Sequence, residues 1–385
     1  MPQGWSSFVG AMPLGNCGHH VRISRGDADS YCGQGLGKDM GVNDWPRYEI
    51  VAATTDDIPA VLGLARHLNT VNLPNDYREI RELLERSERS FLREMKPVER
   101  REYVFLLRDS TTGRAMGTSM VLGRLGRRDA PYIYFAVRKE EMYSATLDRL
   151  FTHTVLDTTY VYGGPTELGG LVMDPVDRGR PERFGSLISF VRMLFIRMRR
   201  PDFQDQLLAE LLPPFRPDGT SPLWEAVGRR FTGLSYDEAD RLSRSNKEFI
   251  RGLFPTQVCC TLLDREAQDS IGLVGPQTQG VEKLLRRVGF SYAERVDPFD
   301  GGPHFIAPTN QVSIIQNTRR ATELQPEHAR SALLVGAELP APPYFCAARL
   351  PPNWCDSKNL LQALVENLGA ASPQQVWFTP WPDSR

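Results

Sequence analysis

Two stretches of this chain carry residue types that do chemistry. The first is DPFDGGPHF, residues 297–305. An imidazole with a pKa near about 6.5 gives or takes a proton at neutral pH, and His304 is the imidazole that this stretch offers. Asp297 or Asp300 could orient it or hold a cationic ligand. The same residues also spell a turn, with Asp300, Gly301, Gly302 and Pro303 reversing the chain and His304 opening the next strand. Both readings are open on the sequence. The second stretch is ELGGLVMDPVDRGRPERFG, residues 167–185. Its apolar run through Leu171, Val172 and Met173 stops at Asp174-Pro175. A loop carrying Arg178 and Gly179 follows, and Phe184 and Gly185 open an apolar helical segment. A helix start of this kind has unpaired backbone N–H groups and the positive end of the dipole, which suits a phosphate or pyrophosphate.

The elements that must position these residues follow from periodicity. YEIVAA from Tyr48 is β-prone, and Thr54 and Asp57 make a capping box for a helix with Ile58, Val61, Leu62 and Ala65 on one face. A second helix fits NDYREIRELLERSERSFLREM, and two β-rich runs around STTG (residues 110–113) read as a hairpin. After the basic loop, Leu187, Ile188, Phe190, Val191, Leu194 and Phe195 suit a buried helix. DQLLAELL reads as a strand, SPLWEAVGRRF as a short amphipathic helix, and YDEADRLSRSNKEFIRGLFP as a continuous helical stretch ending at Pro255. QVCCTLL is β-prone and TQGVEKLLRRVGF helical. The order implies a mixed α/β fold with three parts: an arm at 1–46, a main domain at 47–320, and a small β-rich appendage at 321–385.

Bulk properties narrow the function classes. With 46 basic and 47 acidic residues, the 385-residue chain carries no net field to mark a nucleic-acid or membrane-surface binder. Small molecules or another protein are the expected partners. The six cysteines show no CxxC pair or regular spacing, which fits free thiols in a reducing, cytoplasmic setting. Cys259 and Cys260 lie in an apolar run where at least one must face the core, and His153 reads as an interior histidine. Cys17, His19, His20 and Cys32 match none of the usual zinc spacings, so no metal is expected. No run of about 18 apolar residues could span a bilayer, and the first residues lack the pattern of a secretory leader.

In order along the chain, the strand–basic loop–helix of residues 167–189, SPLWEAVGRRF, KEFIRGLFP, EAQDSIGLVGPQT, RRVGF and DPFDGGPHF resemble the arginine N-succinyltransferase family, whose core is of the GNAT acyl-CoA N-acyltransferase type. The likeness spans about residues 48–320. It implies transfer of a succinyl group from succinyl-CoA, as substrate rather than tightly bound cofactor, to the α-amino group of arginine or ornithine. It also implies a homodimer or a hetero-oligomer with a paralogous subunit. Leu171 corresponds to a position that the family uses for succinyl-CoA, with Val172 and Met173 beside it; Arg178, Gly179, Phe184 and Gly185 would meet the pyrophosphate. Single-subunit members have a proton-donor histidine between the Val and Pro of LVGPQT, where this chain has Gly275. His304, with Asp300, is the expected substitute. Catalysis by positioning, with Tyr292 protonating the thiolate, is the second possibility. A supporting subunit for a paralogous catalytic chain is the third.

Overall fold

The computed structural model describes residues 45–67, 73–128, 130–354 and 360–382. The expected arm falls almost wholly outside the described residues, as do Cys17, His19, His20 and Cys32.

The described strands form one mixed sheet. In chain order they are β1 (Tyr48–Ala52), β2 (Glu102–Asp109), β3 (Ala115–Leu122), β4 (Tyr132–Ser144), β5 (Arg149–Val161), β6 (Thr166–Met173), β7 (Gln206–Glu210), β8 (Gln257–Cys259), β9 (Ser291–Val296), β10 (Pro303–Pro308), β11 (Arg319–Arg320), β12 (Leu333–Glu338), β13 (Phe345–Leu350) and β14 (Val376–Pro380). Across the sheet the order is β11-β14-β12-β13-β1-β2-β3-β6-β7-β10-β9-β4-β5-β8. Every neighbouring pair is antiparallel except β6 and β7. The strands beyond residue 320 thus continue the same sheet from the free edge of β1.

Side chains of β2 alternate across the sheet, as the two-residue period requires. Tyr103, Phe105 and Leu107 pack under helix α3 (Phe184–Met198), while Val104 and Leu106 face α1 (Ile58–Ala65) and α2 (Tyr77–Phe91). Burial on both faces is why β2 reads as an unbroken apolar run. α3 is the centre of the larger core: Phe190, Val191, Leu194 and Phe195 are all about fully buried, and truncating one such aromatic costs about 3–5 kcal/mol. The expected capping box forms, with Thr54 and Asp57 bonded to each other; Asp76 also caps α2, accepting from the backbone N–H of Arg78 and Glu79.

Elsewhere the local reading needed tertiary information. The segment SPLWEAVGRRF forms a wide π turn (Trp224–Gly228) running into α4 (Arg229–Thr232), wound around a fully buried Trp224 that stacks on Phe299 with ring centroids 5.0 Å apart. The stretch expected to be one continuous helix is two, α5 (Tyr236–Ser245) and α6 (Glu248–Leu253). Asn246 is extended, and its side chain accepts from the Glu248 N–H, ending one helix and capping the next. Two more helices, α7 (Arg265–Ser270) and α8 (Gln279–Val288), complete this half. The long β4–β5 hairpin was not anticipated. His153 lies on it half-exposed, bonded to Thr261 Oγ1 at 2.7 Å, and is not an interior residue. Cys260 is buried and Cys259 half-buried; burial pushes the Cys260 thiol up to about 11.

Candidate active site

The two parallel strands at the middle of the sheet pair at only two positions, Thr166 with Leu207 and Glu167 with Leu208, and then part. Beyond them β6 keeps its bond to β3 and β7 its bond to β10, so a slit opens between residues 168–171 and 209–212. On β6 the register against β3 slips: Thr118 faces Val172 but Met120 faces Gly169, which leaves Gly170 and Leu171 opposite one residue. This β-bulge turns backbone at Gly170–Leu171 toward the slit. Gly170 has φ +55°, and a Cβ there would lie 2.7 Å from the Met120 side chain, so glycine is required. The slit belongs to a cavity of about 810 Å³ whose walls include Gly169, Gly170, Leu171, Arg192, Glu210, Asp297 and Asp300.

One face of the slit carries a cluster of acids, with Lys247 beside them. Glu210, the last residue of β7, stands directly opposite His304 on β10, so their side chains share the sheet face away from α3. His304 Nε2 is 3.5 Å from Glu210 Oε1, and Nδ1 is 2.7 Å from the Tyr132 hydroxyl. Glu210, Asp297 and His304 bring one atom each within 4.8 Å of one another. Asp300 accepts from the Gly302 N–H at 2.7 Å, and Asp297 from the Phe299 N–H at 2.7 Å. The Glu210 side chain is 31% exposed, yet desolvation at the slit pushes its carboxyl well above the ordinary range, with Glu167 and Asp297 adding repulsion and Lys247 opposing it; burial also raises Asp297 and, further, Asp300. His304 is wholly buried. Its pKa falls to about 3, through desolvation first and Arg295 second, so the ring is neutral at physiological pH rather than poised near the free value. The Tyr132 phenol is raised by burial and keeps its proton. When that O–H donates to Nδ1, the ring proton sits on Nε2, which faces Glu210 Oε1 at 3.5 Å and has no hydrogen-bond partner among the described residues.

The opposite face holds a buried cation. Arg192 on α3 is 1% exposed, yet it forms part of the cavity wall. Its guanidinium donates to Ser189 O (3.2 Å), Ser189 Oγ (2.9 Å) and Gly169 O (3.4 Å). The α3 N-terminus lies on this side too, preceded by Arg183 with φ +56°. Arg178 turns back to donate to Met173 O at 3.2 Å, and Arg180 bonds Asp177 at 2.9 Å while lying over the Phe184 ring.

The fold gathers some of the expected residues and separates others. Leu171 sits at the bulge, with Val172 and Met173 continuing β6; Val172 is buried toward α1 and Met173 packs toward α3. Arg178, Gly179 and Gly185 surround the start of α3, and space around Gly179 and Gly185 is open, whereas Phe184 is buried against Tyr48. Asp300 lines the cavity and His304 backs it. Tyr292 instead lines a separate, smaller hollow with Gly272, Val274, Arg286 and Phe305, and burial pushes its phenol up to about 12. Gly275 is buried against the chain after β7: its N–H donates to Leu212 O at 2.8 Å, and a Cβ would lie 2.4 Å from Pro213 O. Sequence reasoning missed Glu210, Arg192 and Tyr132. A lone arginine inside the apolar run SLISFVRMLFI was a signal for Arg192, because a charge there must be buried with a purpose; for Glu210 and Tyr132 the local sequence gave none.

Comparison with known proteins gives the family. The family model described as arginine N-succinyltransferase beta subunit matches residues 48–314. Arginine N-succinyltransferases of Escherichia coli O1:K1 and O6:H1 (strain CFT073) are 32% identical over 270 residues, covering 68% of this chain and 76% of theirs. The structure of arginine/ornithine succinyltransferase subunit AI from Pseudomonas aeruginosa superposes with a TM-score of 0.71 at 26% identity, covering 87% of this chain and 98% of that one. Among the described residues no helix is long and apolar enough to cross a membrane.

Proposed function

The chain belongs to the arginine N-succinyltransferase family, and on that footing we propose that it transfers the succinyl group of succinyl-CoA to the α-amino group of arginine, or of ornithine, in amino-acid degradation. The observation that carries this reading is the pairing of an acid cluster, Glu210, Asp297 and Asp300, on one face of the slit with the buried Arg192 and the α3 N-terminus on the other. The donor enters from the α3 side, its pyrophosphate at Arg178, Gly179 and the N–H groups of Phe184 and Gly185 and its amide-bearing arm along the open edge of β6. The cationic acceptor enters from the side of Glu210, Asp297 and Asp300. The two meet at the Gly170–Leu171 bulge, where a backbone N–H facing the slit stabilises the thioester oxygen as charge develops on it.

Glu210 takes the proton of the α-ammonium. The freed amine nitrogen attacks the thioester carbon, the C–S bond breaks, and the second proton shed by the nitrogen as the amide forms passes to the thiolate, which leaves as CoA. His304 presents Nε2–H toward the Glu210 carboxylate, 3.5 Å away, with Tyr132 fixing the ring; it acts as a positioning group. Asp297 and Asp300 bind the acceptor's positive charge. A CoA thioester donor is a cytoplasmic metabolite, in keeping with the free thiols.

A second reading, in which the chain works with a paralogous subunit, is favoured by Gly275, since the backbone around it leaves no room for the histidine of single-subunit members. The test is thiol release by the purified chain with succinyl-CoA or acetyl-CoA and arginine or ornithine. Turnover with succinyl-CoA and one of the two amines is expected. Turnover appearing only when a paralogous chain is added selects the second reading, and turnover with acetyl-CoA alone rejects both.

A further inference from the structure

Arg192 has no carboxylate partner among the described residues, although its guanidinium is buried at the wall of the reaction cavity. Three of its five N–H groups are engaged, all by uncharged acceptors. A buried cation without a counter-charge is costly, and burial alone lowers this guanidinium to about 9. The protein has acids nearby, but Glu210, Asp297 and Asp300 stand on the other face of the sheet, where they repel one another. Had charge balance within the fold been the purpose, one acid on the α3 side would have met it. The arrangement leaves Arg192 waiting for an anion that arrives through the cavity.

We propose that Arg192 binds the free carboxylate of the acyl group, and so selects a dicarboxylic acyl thioester over a neutral one. The proposal rests on the acyl-transfer reading and adds the residue that chooses the donor. Position supports it. The donor's arm runs from the start of α3 toward the point where β6 and β7 join, so the acyl chain beyond the bulge points at Gly169 and Glu167. Gly169 lies two residues from Leu171 on the same wall of the slit, so an acyl carbonyl at the bulge leaves the two methylenes and the carboxylate to extend toward it. Arg192 already touches Gly169 O, at the far end of that span. Glu167 and Glu210 on the opposite face disfavour the same carboxylate there, so the charges of the site fix which way the acyl chain lies.

Calorimetric binding of succinyl-CoA and butyryl-CoA tests the assignment, because the two donors have the same chain length and differ by a carboxylate in place of a methyl. The native chain is expected to bind succinyl-CoA about thirtyfold more tightly, the worth of a charge-assisted hydrogen-bond pair. Arg192→Met should bring the two within about threefold by weakening succinyl-CoA alone, and Arg192→Lys should restore part of the preference. Equal native affinities overturn the proposal, as does a Met variant that weakens both donors in parallel, the sign of a merely structural arginine. Should the Met variant fail to fold, the native preference decides by itself. Binding is read without turnover: a native preference with no acyl transfer sinks the reaction assignment and leaves Arg192 as a carboxylate site, whereas transfer without preference sinks the Arg192 assignment only.

Discussion

Glu210→Gln separates the proposed chemistry from mere shape. Glutamine keeps the volume and one acceptor oxygen, so packing against His304 and Tyr132 is preserved while the charge and the basic oxygen are lost. A hydrogen bond to a charged group contributes about 1.5–3 kcal/mol, which at about 1.4 kcal/mol per decade is roughly 10- to 150-fold in acceptor affinity. Loss of proton acceptance removes about 10²–10⁴ from the rate. Because the acceptor's charge is shared with Asp297 and Asp300, the larger effect is expected in kcat: steady-state thiol release should show kcat/KM for arginine down by about a hundredfold or more. Binding of succinyl-CoA should stay within about threefold, since Glu210 faces away from the α3 side. pH adds an independent reading. Glu210 must be ionised to accept the proton, and burial with Glu167 and Asp297 holds its pKa above that of an ordinary carboxylate. The native kcat/KM should therefore fall on acidification along a limb lying above about pH 4.3, and the variant should lose that limb. A variant with native kcat/KM and an unchanged limb would refute the role of Glu210.

Four further outcomes follow from the same geometry. His304→Ala should lower kcat while leaving the limb of the pH profile in place, because an imidazole with a pKa of about 3 does not titrate between pH 5 and 8; a limb that vanishes with the imidazole would count against the neutral ring. Tyr292→Phe should leave thiol release within about twofold, its hydroxyl lying in a separate hollow. Asp300→Asn should raise the thermal midpoint at pH 8 and not at pH 4. The folded pKa is raised, so the native chain keeps a proton that the unfolded chain sheds, and stability drains away as pH climbs from the unfolded value of about 3.9 through the folded one; thermal melts at the two pH values check it. Gly275→His should destabilise the chain without restoring a proton donor, since its Cβ would lie 2.4 Å from the Pro213 carbonyl oxygen; a stable variant with raised kcat would show that the backbone yields.

Much of the architecture was written in local pattern. The alternation of β2, the apolar stripe of α3, the caps at Thr54 and Asp76 and the basic loop before Phe184 are short-range features, and each element forms where its own residues dictate. The family motifs, ordered along the chain, located Leu171 and the DPFDGGPHF turn because spacing within one segment survives in sequence. The candidate site was legible only in part. Which residues face each other across a slit depends on strand order and register, and a strand end such as Glu210 has no local mark that it will stand opposite His304. The free pKa of His304 suggested an acid–base catalyst, whereas burial and Arg295 make the ring neutral. Arg192 was visible as an odd charge in an apolar helix, yet its want of a counter-ion is a statement about every neighbour at once. The sequence determined the family and those elements whose local pattern is strong. The tertiary structure decided the charge on each face of the slit, because only the folded sheet removes water from these groups and sets them on opposite sides.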